Sequence, residues 1–154
     1  MKLKIITLFF SMMLLLSANL YAQLDTLNIF KQTDHIVELI LKKDTKKLAS
    51  LSSNTIYCSL CFKFEDSQPR NYLISKQTFF NKHFSDIFQK DLLDRLERKE
   101  KILFAEYSDH ADYIVWYTIY RKDELTEGHE GGQFGIWFKK GKNGLLFSGV
   151  ETIP

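Results

Sequence analysis

The apolar positions of this chain change period along its length, and the changes mark its elements. Ile29, Ile36 and Ile40, with Phe30, Val37 and Leu41, recur at spacings of four and seven. That pattern predicts a helix over about 25–43 with one wide apolar face. Asp34, Glu38, Lys42 and Lys43 fall off that face. Asp44 reads as the N-cap of a short second helix, since its carboxylate can accept from the free amides of the next turn. Leu48 and Leu51 supply the buried side of that helix. Ser53-Asn54 reads as a turn, and Ile56 opens an extended run to Phe64, where Phe62 and Phe64 alternate with Lys63 and Glu65. Asp66 to Asn71, with Pro69, reads as a loop. Ser75 then caps a third helix whose apolar set is Phe79, Phe80, Phe84, Ile87 and Phe88, continuing through Leu92, Leu93 and Leu96.

From residue 101 the period shortens to two. Ile102–Tyr107 and Tyr113–Tyr120 read as strands, the second rich in β-branched and aromatic types. Ser108-Asp109-His110 turns between them. A polar connection over 124–132 leads to Phe134, Ile136 and Phe138, which alternate with Gly135, Trp137 and Lys139. Asn143-Gly144 is a strong hairpin signal, and Leu145–Ile153 returns as the last strand. Helices come first and consecutive strands follow, so the predicted class is α+β, with the amino-terminal helices on the concave face of a curved, mainly antiparallel sheet.

That order resembles the nuclear transport factor 2-like superfamily, whose members share a cone-shaped α+β fold. The residues that carry the resemblance are Lys43-Asp44 through Cys58, Ser75–Phe84 as the third helix, and 101–153 as the sheet. Exported bacterial proteins of unknown function look similar, including in the ending where Gly131-Gly132 precedes a strand. The resemblance implies a cone closed by helices at one end and open at the other. The family holds small-molecule isomerases and dehydratases, ligand-binding proteins and interaction domains, so it leaves function open.

The amino end has a different character. Lys2 and Lys4 precede Ile5–Leu16, apolar except for Thr7 and Ser11, and small or polar residues follow to Ala22. This is the order of a secretory signal over 1–22, cut after Ala22 or after Ala18, ahead of a single domain over 23–154. The apolar run is shorter than the roughly 20 residues of a spanning helix, which argues against an uncleaved anchor. No Cys follows either cut, so lipid attachment there is not expected. The expected location is periplasmic or extracellular. The chain has 21 basic and 19 acidic residues; removal of 1–22, with two lysines and no acid, leaves 19 of each. A neutral domain without a basic stripe is not expected to bind nucleic acid.

Cys58 and Cys61 are the two cysteines of the chain. On an unbroken strand, positions three apart point to opposite faces, so a disulfide between them needs a turn at Ser59-Leu60. Unpaired thiols, or a redox or metal site, are the alternatives. Phe62 stands where a c-type haem motif needs His, and no second Cys or His pair has zinc spacing, so neither a cofactor nor a metal is expected. His35, His83, His110 and His129 are scattered. An acid/base pair such as His83 with Glu106 inside the cone would serve proton transfer, against the plainer reading of a hydrogen-bonded, half-buried His. The strand 113–120 is apolar on both faces: Tyr113, Val115, Tyr117 and Ile119 on one, Ile114, Trp116, Thr118 and Tyr120 on the other. A sheet covered on one side by helices normally turns polar residues to the opposite side. Tyr57, Tyr113, Trp116, Tyr117, Tyr120 and Trp137 are therefore the candidate pocket or interface residues. The leading expectation is a noncatalytic exported domain that binds a small apolar ligand or a protein, with a homodimer through the sheet face. The alternatives are an isomerase-type enzyme, or a chain segment folded over that face.

Overall fold

The computed structural model describes residues 27–62, 71–98, 101–105, 110–120, 124 and 132–153. The expected signal and Glu106 lie outside them. Two units are distinguished, one ending at Gln32 and one running from Thr33. In the first, residues 27–32 are helical. The second has the α+β architecture: α1 (33–41), α2 (Thr45–Ser50), β1 (Ser52–Cys58), a 3-10 turn Ser59–Cys61, β2 (Leu73–Ser75), α3 (Lys76–Thr78), a π-helical turn Phe79–His83, α4 (Phe84–Ile87), α5 (Lys90–Glu97), β3 (Lys101–Ala105), β4 (Tyr113–Thr118), β5 (Gln133–Gly141) and β6 (Gly144–Ile153). Among the described residues no helix is long and apolar enough to cross a membrane.

The strands form one open sheet in the order β2-β1-β6-β5-β4-β3. β3 to β6 are an antiparallel meander, β1 joins β6 in parallel, and β2 closes the edge antiparallel to β1. Lys142-Asn143 make the β5–β6 turn, and Gly144 at φ 130° takes the left-handed region that a side chain disfavours. The expected hairpin is present, one residue earlier than Asn143-Gly144.

Three local expectations are corrected. Ser53-Asn54 is inside β1 and not a turn. Its turn propensity survives as an irregularity, because the β1–β6 register shifts between Ser52 and Tyr57. The run expected to extend to Phe64 stops at Cys58, where the 3-10 turn begins; residues 63–70 lie outside the description. The third helix is not one α-helix continuing to Leu96. It breaks after α4, and α5 starts afresh at Lys90.

The π turn explains why one helical period does not fit Phe79, Phe84 and Phe88. Phe79 and Phe84 are five apart, about 140° out of phase on an α-helix. One added residue per turn restores them to one side, and the Phe84 amide donates to Phe79 O. Their rings then meet at 6.2 Å, Phe84 meets Phe88 at 4.9 Å, and the column ends on the sheet at Phe134 and Phe147. Ile36, Ile40, Leu48, Leu96, Ile56, Val115, Ile136, Phe138 and Val150 complete this core at 1% exposure or less. Each such side chain contributes roughly 1.5–3 kcal/mol by burial.

α1 ends in a Schellman motif. The Asp44 amide donates to Leu39 O at 3.0 Å and the Lys43 amide to Ile40 O at 2.9 Å. Asp44 then caps α2 as expected, accepting from the Lys47 amide at 3.1 Å, and Ser75 caps α3 by accepting from Thr78 at 3.0 Å. The Schellman geometry puts Lys43 at φ 52°, where a Cβ is strained. Lys43→Gly is expected to raise unfolding free energy by about 0.5–1 kcal/mol, the αL relief exceeding the added chain entropy; urea unfolding measures it, and a loss of stability would contradict the assignment.

Candidate functional site on the outer sheet face

The sheet has a second face, opposite the phenylalanine core, and its residues follow from register. Tyr57 pairs with Gly149, Gly149 with Trp137, Trp137 with Ile114 and Ile114 with Phe104. Tyr57, Gly149, Trp137 and Ile114 form one row across four strands, on the face away from Phe134, Ile136 and Phe138. The next row holds Ile102, Trp116, Gly135 and Glu151. A β6 irregularity beside Trp137 and Phe138 lets Phe147 and Val150 face the core while Gly149 and Glu151 face outward.

Glycine shapes both rows. A Cβ on Gly149 would lie 2.6 Å from Tyr57 O and 2.8 Å from Tyr57 Cβ. The missing side chain leaves the gap over which Tyr57 and Trp137 lean together, their rings stacked at 4.2 Å and 9°. Such a pair adds about 0.5–1.5 kcal/mol beyond its buried area. A Cβ on Gly135 would meet the Trp116 ring at 2.7 Å, so Trp116 lies against bare backbone.

The edge extends the aromatic set. Tyr72 meets Tyr57 edge-on at 5.9 Å and Phe62 at 6.1 Å. His110 stacks on Tyr57 at 6.3 Å and 20°. The Asp112 amide donates to Phe138 O at 2.8 Å, which draws 110–112 to the sheet and buries Ala111 against Ile114 and Trp137. Burial, with the nearby Glu151 charge and then Tyr72, raises the Tyr57 hydroxyl above its ordinary pKa. The Trp137 indole N–H is buried with no hydrogen-bond partner among the described residues. Outward from this cluster, Ile102 is 55% exposed and Ile153 46%.

The candidates therefore separate. Tyr57, Trp116 and Trp137 come together on the outer face, with Tyr120 beside Gly132 and 39% exposed. Tyr113 and Tyr117 lie on the opposite, helix-covered face, and Tyr117 is 1% exposed; Tyr117 fills the core and belongs to no open pocket or interface. His83 is half-buried in the π turn. Glu106 lies outside the described residues, so the His83–Glu106 pair falls outside them as well. Sequence reading missed Gly149, Gly135, His110 and Ala111. Glycines alternating with tryptophans in a strand were the available signal.

Cys58 and Cys61 are joined in a disulfide, with Cα atoms 5.4 Å apart. The turn this bond required is the 3-10 turn at Ser59–Cys61. Cys58 is fully buried, and its amide donates to Tyr72 O at 2.9 Å. The crosslink thus fixes the chain where it leaves β1 beside Phe62 and Tyr72. For so short a loop, chain entropy gives about 2 kcal/mol of stabilisation. Reduction by dithiothreitol is expected to lower unfolding free energy by about that amount; equal denaturant midpoints for the two forms would refute it.

Tyr117 yields a pH prediction. Burial, with the Asp34 charge second, raises its hydroxyl well above its ordinary 10.0. A raised pKa means the unfolded chain loses this proton first. The contribution is complete below about pH 10 and is lost as pH rises through the folded value. The hydroxyl has no hydrogen-bond partner among the described residues. Tyr117→Phe is therefore expected to be neutral, or stabilising by up to about 1 kcal/mol, at pH 7, and to soften the loss of stability above pH 10. Denaturation at pH 7 and at alkaline pH checks both; a marked loss at pH 7 would mean the hydroxyl is bonded.

No protein-family model, curated protein or solved structure matches this chain.

Proposed function

We propose that this is an exported, noncatalytic binding domain of the nuclear transport factor 2-like type, which recognises a protein partner through its outer sheet face. One observation carries the reading: the side of the sheet away from the helices is aromatic and apolar across its width. Ile102 and Ile153 stand open there, and Tyr57 and Trp116 are half-buried beside Trp137 and Ile114, which are buried against Ala111. An apolar surface with stacked aromatic anchors suits partner binding, where Trp and Tyr dominate the energy.

The filled interior supports this choice over a small apolar ligand held between helices and sheet. Phe79, Phe84, Phe88, Phe134 and Phe147 occupy that space ring against ring. The rival arrangement, a chain segment folded over the outer face, is met in part. His110 and Ala111 cover Tyr57 and Trp137, while Ile102 stays open. Export is supported by the Lys2–Ala22 pattern, and a Cys58–Cys61 disulfide suits an oxidising compartment.

The test is site-specific photocrosslinking in the producing cell. A photoreactive phenylalanine analogue in place of Trp116 is expected to give a discrete protein adduct, and the same analogue in place of exposed Asp86 is expected to give none. Absence of an adduct from position 116 would refute the binding face.

A further inference from the structure

A hollow of about 250 Å³ lies between the end of α1 and α5, lined by Leu41, Lys43, Lys90, Leu93, Asp94 and Glu97 and by no strand residue. Leu93 is buried and Leu41 half-buried, and they supply its apolar part. The four charged residues are exposed around it. None of their side chains makes a hydrogen bond or an ion pair with another described residue. Their neighbours in the chain differ: Lys42 holds Glu38, Lys47 holds Asp44, and Arg95 holds both Asp91 and Glu124.

These charges also stand against local preference. Lys43 occupies the left-handed region at φ 52°, where a helix end favours Gly. Lys90 is the first residue of α5, at the positive pole of the helix, and Glu97 is the last, at the negative pole. Asp94 and Glu97 are three apart, like charges on one side of the helix. Residues that cost stability where they stand, and that find no partner in the chain, mark a site kept for a group from outside.

The arrangement has a direction. Along the α5 axis, Asp94 lies about 6 Å and Glu97 about 10 Å beyond Lys90. The helix dipole runs in the same sense. A ligand with its carboxylate at Lys90 and its ammonium at Asp94 and Glu97 complements both. A free α-amino acid carries its two charges on one carbon, too close to span this distance, whereas two extended residues reach about 7 Å. The hollow is also smaller than the roughly 300–1,000 Å³ of drug-sized sites, which suits a ligand of two residues.

We propose that this hollow binds a zwitterionic dipeptide with an apolar side chain. Lys43 and Lys90 hold its carboxylate, Asp94 and Glu97 hold its ammonium, and Leu41 and Leu93 receive the side chain. The site is separate from the outer sheet face and does not depend on it.

The experiment is a titration of the processed, oxidised, isotope-labelled protein with alanyl-leucine to about 20 mM, a range that resolves millimolar dissociation constants, followed by amide NMR shifts. Saturable shifts are expected at 41–43 and 90–97. Acetyl-alanyl-leucine amide, which keeps the apolar body and loses both charges, is expected to bind at least about tenfold more weakly, as is free leucine. Lys43→Gly relieves the backbone and Glu97→Lys matches the helix pole, so neither is expected to lose stability in urea. Each is nevertheless expected to weaken alanyl-leucine binding by about threefold or more, which unfolding then cannot explain. No saturable shift would overturn the inference. So would equal binding of the blocked peptide or of leucine, shifts confined to the outer-face strands, or unchanged affinity in either variant.

Discussion

The phenylalanine column between helices and sheet is the interaction on which the rest of this structure depends. Phe79, Phe84 and Phe88 reach Phe134 and Phe147 through ring contacts of 4.9–6.2 Å. The helix accepts a π turn to keep these rings in line. Interiors packed to this degree resist changes in volume. A side of the sheet filled in this way has little room left for a ligand.

The other side of the sheet is built on different terms. The inner face excludes water with rings from facing layers, whereas the outer face uses rings from its own strands. Gly149 and Gly135 supply the space a Cβ would fill, so Tyr57 leans to Trp137 and Trp116 lies on backbone. Aromatic cover for a strand glycine offsets part of its conformational cost. The cover also leaves ring edges and aliphatic neighbours in contact with water, and burying them again favours association.

The disulfide and the neighbouring loop residues join the same cluster. Cys58 ends the strand that carries Tyr57, and the bond to Cys61 turns the chain so that Phe62 reaches Tyr72. His110 arrives from the opposite end of the sheet because the Asp112 amide bonds to Phe138 O. A crosslink on one side and a backbone hydrogen bond on the other hold the two ends of the row.

The sequence by itself determined the α+β class, the helix caps at Asp44 and Ser75, the meander, and the two apolar faces of the strand at 113–120. Each is written in short-range periods or in a single side chain beside a free amide, so no distant residue is needed to read it. The tertiary structure alone decided the rest. Ser53-Asn54 lies within β1, in the stretch between Ser52 and Tyr57 where the pairing with β6 shifts register. The helix after Ser75 gained a π turn because Phe79 and Phe84 had one sheet to meet. Tyr117 entered the core while Trp116 stayed at the surface, a division that alternation proposes and only packed helices can assign. The outer row is the clearest case. Tyr57, Gly149, Trp137 and Ile114 come from four strands, up to 92 residues apart in the chain, and register is a property of paired strands that no single segment carries.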